Sequence, residues 1–126
     1  MLQRSATTYW KEGQELAMVI HRLVHAMPVS KYKVLEEEIL RTSYRISPPL
    51  AEAANVESEE EALHCLQESL AGCFRLDSLV QLAGKAGLLT WEELAIVRAK
   101  VRAQVDRLEE ARGVKTKSPM IAHGAF

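Results

Sequence analysis

The sequence lacks the features that mark several large protein classes. It has two cysteines in 126 residues, Cys65 and Cys73. Eight residues apart on one expected helix, they are separated by about 12 Å at ~1.5 Å rise per residue, too far for a disulfide within the subunit. A disulfide scaffold is excluded, and the pair reads as small buried apolar residues in a reducing compartment. No run approaches the apolar length that a bilayer demands, and the N-terminal residues lack a signal-peptide core, so a cytoplasmic location without membrane contact is expected. Neither sign of charge dominates. Sixteen Lys and Arg against seventeen Asp and Glu give a net charge of -1, which argues against a surface basic enough to coat nucleic acid and leaves only local patches. A Ser-His-Asp string, a glycine-rich phosphate loop and a Cys-x-x-Cys pair are all missing, and the expectation is a non-enzyme without cofactor or metal.

What is present is helical periodicity, with 48% hydrophobic and 26% charged residues in one domain-sized chain. The clearest stretch runs from Ser58 to Leu94. Ser58 with Glu61 makes a capping box, and apolar or small residues recur at Ala62, Leu66, Ser69, Cys73, Leu76, Val80 and Ala83 without a proline. Gly87 is the expected left-handed stop, with Leu88 folding back on the last turn. Thr90 and Glu93 form a second capping box, with Leu89 stapling against Leu94. Two helices, 59–86 and 91–112, therefore meet at a tight corner. The second buries Leu94, Val97, Val101, Val105 and Leu108 and ends in a basic turn and glycine stop at Arg112-Gly113.

Upstream, Thr7 or Thr8 is the expected cap of a helix over 8–27, with frayed residues before it and a core stripe that includes Gly13, a place for close backbone approach. Ser30 is the expected cap of a helix over 31–54, whose inner face carries Leu35, Ile39, Ile46, Leu50 and Ala53. Pro48-Pro49 must bend or break it near 45–47. The apolar spacing continues through the prolines and favours one kinked helix, with a short loop between two helices as the alternative. The expected fold is an all-α, antiparallel up-down four-helix bundle over 1–113, with a flexible tail over 114–126 in which Ile121 and Phe126 are available to dock on a neighbour.

Several strings resemble a family of small bacterial four-helix bundles that includes ribosomal RNA intervening-sequence proteins and the accessory proteins of diversity-generating retroelements. They are the run from Arg41 through Arg45, Pro48 and Pro49 to Leu50-Ala51-Glu52-Ala53, and Leu82-Ala83-Gly84-Lys85-Ala86-Gly87-Leu88-Leu89. The proline is doubled and displaced by one position, Ala53 stands in place of the family's Gly, and Leu88 in place of its Tyr. The resemblance implies a homopentameric ring and a nucleic-acid enzyme, such as a reverse transcriptase, or RNA or DNA itself as partner.

The residues add two arguments. Apolar surplus around the third helix (Leu63, Leu70, Phe74, Leu79) and the first (Tyr9, Trp10, Met18, Val19) favours self-association. Basic residues cluster between Arg98 and Lys117, for a local charge of +4, and again at Lys31, Lys33, Arg41 and Arg45, diluted by Glu36, Glu37 and Glu38. Arg41, Arg45, Arg98 and Arg102 are the expected nucleic-acid contacts. The alternative function is a structural or regulatory scaffold that touches no nucleic acid. A bundle metal enzyme is weaker: Glu61-x-x-His64 has di-iron spacing, but no second such pair exists. His21 and His25, four apart, share a helix face without an intervening acidic ligand.

Overall fold

A computed structural model describes residues 2–27 and 32–113, and among these it contains helices and no strand. The helices are α1 (Leu2–His25), α2 (Lys33–Tyr44), α3 (Ser47–Ala53), α4 (Glu59–Lys85) and α5 (Trp91–Ala111). With α2 and α3 taken as two parts of one arm, the described residues form four helical arms. No helix among the described residues is long and apolar enough to cross a membrane. The expected Ser30 cap and the tail over 114–126 lie outside the described residues.

The chain begins its first helix earlier than expected. Residues 2–6 are helical, not frayed, because they are tied to the start of α4: Leu2 N–H donates to Glu59 Oε1 at 3.1 Å, and Gln3 Nε2 donates to the Glu57 carbonyl at 3.4 Å. Leu2 and Ala6 are buried. Tertiary contacts of this kind offset the fraying of a terminus.

The helix expected to run kinked over 31–54 is two helices. Pro48 and Pro49 occupy the first turn of α3 and offer no N–H to the carbonyls of Tyr44 and Arg45, so the helical ladder cannot pass. Arg45 and Ile46 form the break, with Arg45 N–H donating to the Thr42 carbonyl at 3.1 Å. The break serves packing. Ile46 is fully buried, and the Ser69 hydroxyl of α4 donates to its carbonyl at 2.7 Å. Two glycines make room for this corner: a Cβ on Gly13 would lie 3.2 Å from Ser47 Cβ and 3.6 Å from Ile46 Cγ2, and one on Gly72 would lie 3.3 Å from Ile46 Cγ1.

The α4–α5 corner follows its local signals. Glu61 N–H donates to Ser58 Oγ at 3.0 Å, while the Glu61 carboxylate takes the Ser58 hydroxyl rather than its backbone N–H. At the far end Gly87 has φ +79°, Leu88 N–H donates to the Ala83 carbonyl at 3.0 Å, and Gly87 N–H donates to that of Gly84 at 3.1 Å, a Schellman end. Thr90 and Glu93 then exchange both capping bonds, at 2.9 and 3.1 Å. A Cβ on Gly84 would lie 2.8 Å from Leu94 Cδ2, so Leu94 closes over the glycine. Gly113, with φ +85°, ends α5, but the last turn is not basic: Arg112 is the cap residue, and Glu109 and Glu110 occupy the turn itself.

The core joins all five helices through residues such as Ile20, Ile39, Leu50, Leu66, Leu76 and Val101, each 1% exposed or less. Replacing Gly13 with valine must push α1 away from α3. Overpacking of this kind costs about 1–3 kcal/mol, read as a lower urea midpoint with an unchanged slope. An unchanged midpoint would show that α1 and α3 do not meet at this glycine.

Candidate interaction surfaces

The four arginines expected to contact nucleic acid fall into two different settings. Arg98 is committed to the protein: its Nε donates to Asp77 Oδ1 at 2.9 Å and its Nη2 to Oδ2 at 3.2 Å, with side chains only 19% and 8% exposed. Gln81 Nε2 donates to the same Oδ2 at 2.8 Å. This fork-to-carboxylate bond closes α5 on α4 with little access to water. Arg102 is half-buried, and its Nε is a buried donor without a hydrogen-bond partner. Further along α5, Arg107 Nη2 pairs with Glu12 Oε2 at 3.0 Å and the guanidinium carbon lies 5.6 Å from the centre of the Tyr9 ring, while Gln104 Nε2 donates to the Tyr9 carbonyl at 3.2 Å. Two residues of the basic run, Arg98 and Arg107, therefore fasten α5 to α4 and α1. The continuation of the run at Lys115 and Lys117 lies outside the described residues.

Arg41 and Arg45 remain exposed on α2 and in the break after it. Arg41 pairs with Glu38, and the other oxygen of Glu38 accepts from Arg75 Nη2 of α4 at 2.9 Å. The hydrogen bond from Arg75 leads the causes that hold the Glu38 carboxyl below its usual range, with the charge of Arg41 adding to it. Arg45 and Arg75 then line a shallow groove at the helix break with Thr42, Pro48, Glu52 and Glu68. Arg75 was not among the expected contacts. Arg75 is the one arginine of α4, and its pairing with Glu38, 37 positions away, left no local signal.

Apolar surface is also distributed differently from the expectation. Leu70 is buried, and Leu63, Phe74 and Leu79 pack half-buried against the core, so the flanks of α4 are largely covered within the chain. On α1 Met18 is exposed as expected, and among the described residues an uncovered apolar face lies between α2 and the end of α4. There Tyr32, Val34, Leu35, Leu79, Leu82 and Ala86 line a groove, with Val34 75% and Leu82 52% exposed. Trp91 at the start of α5 is 76% exposed.

The enzyme-like features do not gather into a reaction centre. Glu61 serves the Ser58 cap, and His64 faces water beside Glu68, with 3.2 Å between Nε2 and Oε1. Both cysteines are buried and free; burial pushes the Cys73 thiol up to about 12 and raises that of Cys65, so neither is an activated nucleophile. Among the described residues no group of three or more His, Cys, Asp or Glu could hold a metal ion. No protein-family model matches the chain, and no curated protein matches it.

The Asp77–Arg98 pair has a direct test. Asp77→Ala leaves a largely buried guanidinium without its carboxylate and lowers stability by about 3–5 kcal/mol. Asp77→Leu with Arg98→Met removes both charges and costs much less. Equal losses for Asp77→Ala and for an exposed change such as Glu92→Ala would show that the pair does not hold α5.

Proposed function

We propose that the chain is a non-enzymatic, cytoplasmic helical-bundle protein that assembles with copies of itself and acts as a binding module for nucleic acid or a nucleic-acid enzyme such as a retroelement reverse transcriptase. The observation that carries the assembly step is the apolar groove between α2 and α4, whose Val34 and Leu82 are exposed to a degree that favours a protein partner. The ring of five comes from the resemblance to the retroelement accessory and intervening-sequence bundles. An antiparallel up-down arrangement of the four arms, with α2 and α3 acting as one bent arm, belongs to the same reading. Residue pairs that meet in opposite chain order support it: Asp77 with Arg98 and Gly84 with Leu94, and likewise Glu38 with Arg75 and Ile46 with Ser69.

In this reading Arg41, Arg45 and Arg75 supply the phosphate contacts, Arg102 stands apart from them on α5, whose main packing is against α1 and α4, and Arg98 acts by holding α5. Repetition around an assembly multiplies a modest local charge, which offsets the near-neutral chain. A second reading is a scaffold that touches no nucleic acid. It is favoured by the carboxylate partner that each of Arg41, Arg75, Arg98 and Arg107 already has.

Light scattering on the purified chain tests assembly. The expected mass is a multiple of 14.1 kDa, falling to the monomer when Val34→Glu and Leu82→Glu are combined, with helical circular dichroism unchanged. A monomer from the unaltered chain contradicts the reading. Titration with single-stranded RNA at two salt concentrations then separates the partners. Salt-sensitive binding lost on Arg41→Glu with Arg45→Glu supports the nucleic-acid module, and no binding by the unaltered chain supports the scaffold.

A further inference from the structure

Two histidines on α1 have no part in the packed core or in the surfaces proposed above. His21 and His25 stand one helical turn apart, with ring centroids 4.1 Å apart and planes inclined by 33°. His25 Nδ1 lies 2.9 Å from the backbone carbonyl of His21. A carbonyl only accepts, so this nitrogen carries the proton, and in the neutral ring Nε2 holds the lone pair. His21 is anchored from the other side: its Nδ1 lies 2.7 Å from the Tyr44 hydroxyl of α2. That hydroxyl can accept from Nδ1–H and leave Nε2 of His21 with its lone pair as well. Imidazoles that ligate metal ions are held in this way, with one ring nitrogen donating to a fixed oxygen and the other turned to the ion.

We propose that His21 and His25 form a two-imidazole site for a divalent transition-metal ion of the zinc type, with Tyr44 as the positioning residue of His21. Positions four apart on a helix share one face, as a chelating pair requires. The class of ion follows from the donors. Imidazole nitrogen suits zinc, copper and nickel, whereas magnesium and calcium select oxygen. Two protein ligands leave the remaining positions to water or to an oxygen of a bound molecule. Entry is open, because His25 is exposed and His21 half-buried. The competing donors are poorly placed: both cysteines are buried, and His64 stands alone beside Glu68. Since Tyr44 belongs to α2, an ion held by the pair also reinforces the contact between α1 and α2. The site does not rest on the assembly reading.

Calorimetric titration of Zn²⁺ alone into the untagged full chain tests the site, alongside Mg²⁺ as a control. The expected result is one Zn²⁺ per chain, a melting temperature that rises with Zn²⁺ concentration, and no heat from Mg²⁺. His25→Ala changes an exposed side chain, keeps the circular dichroism spectrum and abolishes binding. Tyr44→Phe keeps the stoichiometry and weakens binding by about tenfold, the loss typical of a missing outer partner. No binding by the unaltered chain, or binding that persists in the double variant His21→Ala with His25→Ala, overturns the site. Equal affinity in Tyr44→Phe overturns the positioning role.

Discussion

The structure depends on one corner, where the arm formed by α2 and α3 breaks at Arg45 and Ile46. Two prolines forbid a continuous ladder, and the backbone groups left unpaired at the break are a liability that the surrounding helices absorb. Ile46 turns inward and is fully buried, Ser69 of α4 donates to its carbonyl, and the missing side chains of Gly13 and Gly72 let α1 and α4 close around it. A helix of seven residues has little stability by itself. Here α3 is held by its neighbours on both sides.

Polar bonds then set where α5 lies. The Asp77–Arg98 fork fixes it to α4, while Arg107 with Glu12 and Gln104 with the Tyr9 carbonyl fix it to α1. A partly buried pair adds less net stability than its geometry suggests, because both charges give up water. Its second effect is on register, since the fork joins one position of α4 to one position of α5. The consequence for function is that α5 offers less free charge than its composition implies. The contacts proposed for function lie instead on the face shared by α2 and α4, where the arginines around Glu38 lie on the same two helices as the apolar groove.

Features governed by neighbours in sequence were legible, and those governed by distant partners were not. The Ser58 and Thr90 caps and the Gly87 stop involve groups within five residues of one another, so the residues themselves announce them. The start of α1 was misread because Leu2 finds its partner in Glu59, 57 positions away. Pro48-Pro49 marked the break correctly, but the apolar spacing from Ile46 to Ala53 continues on both sides and conceals that the helix stops. The binding expectation for Arg98 failed to register Asp77. That signal was available: Asp77 stands four residues after Cys73 and three before Val80, on the edge of the core stripe, and an acid there needs a basic partner. The His21–Tyr44 contact had no local signal, because it spans two arms.

Native-state hydrogen exchange tests most directly whether the break is the locked centre of the fold. The amides of α3 near Leu50–Ala53 are predicted to exchange only through global unfolding, with the same free energy as those of Leu66–Cys73 in α4. Exchange of the α3 amides by local opening, orders of magnitude faster than in α4, would contradict it and leave α3 a loosely attached turn.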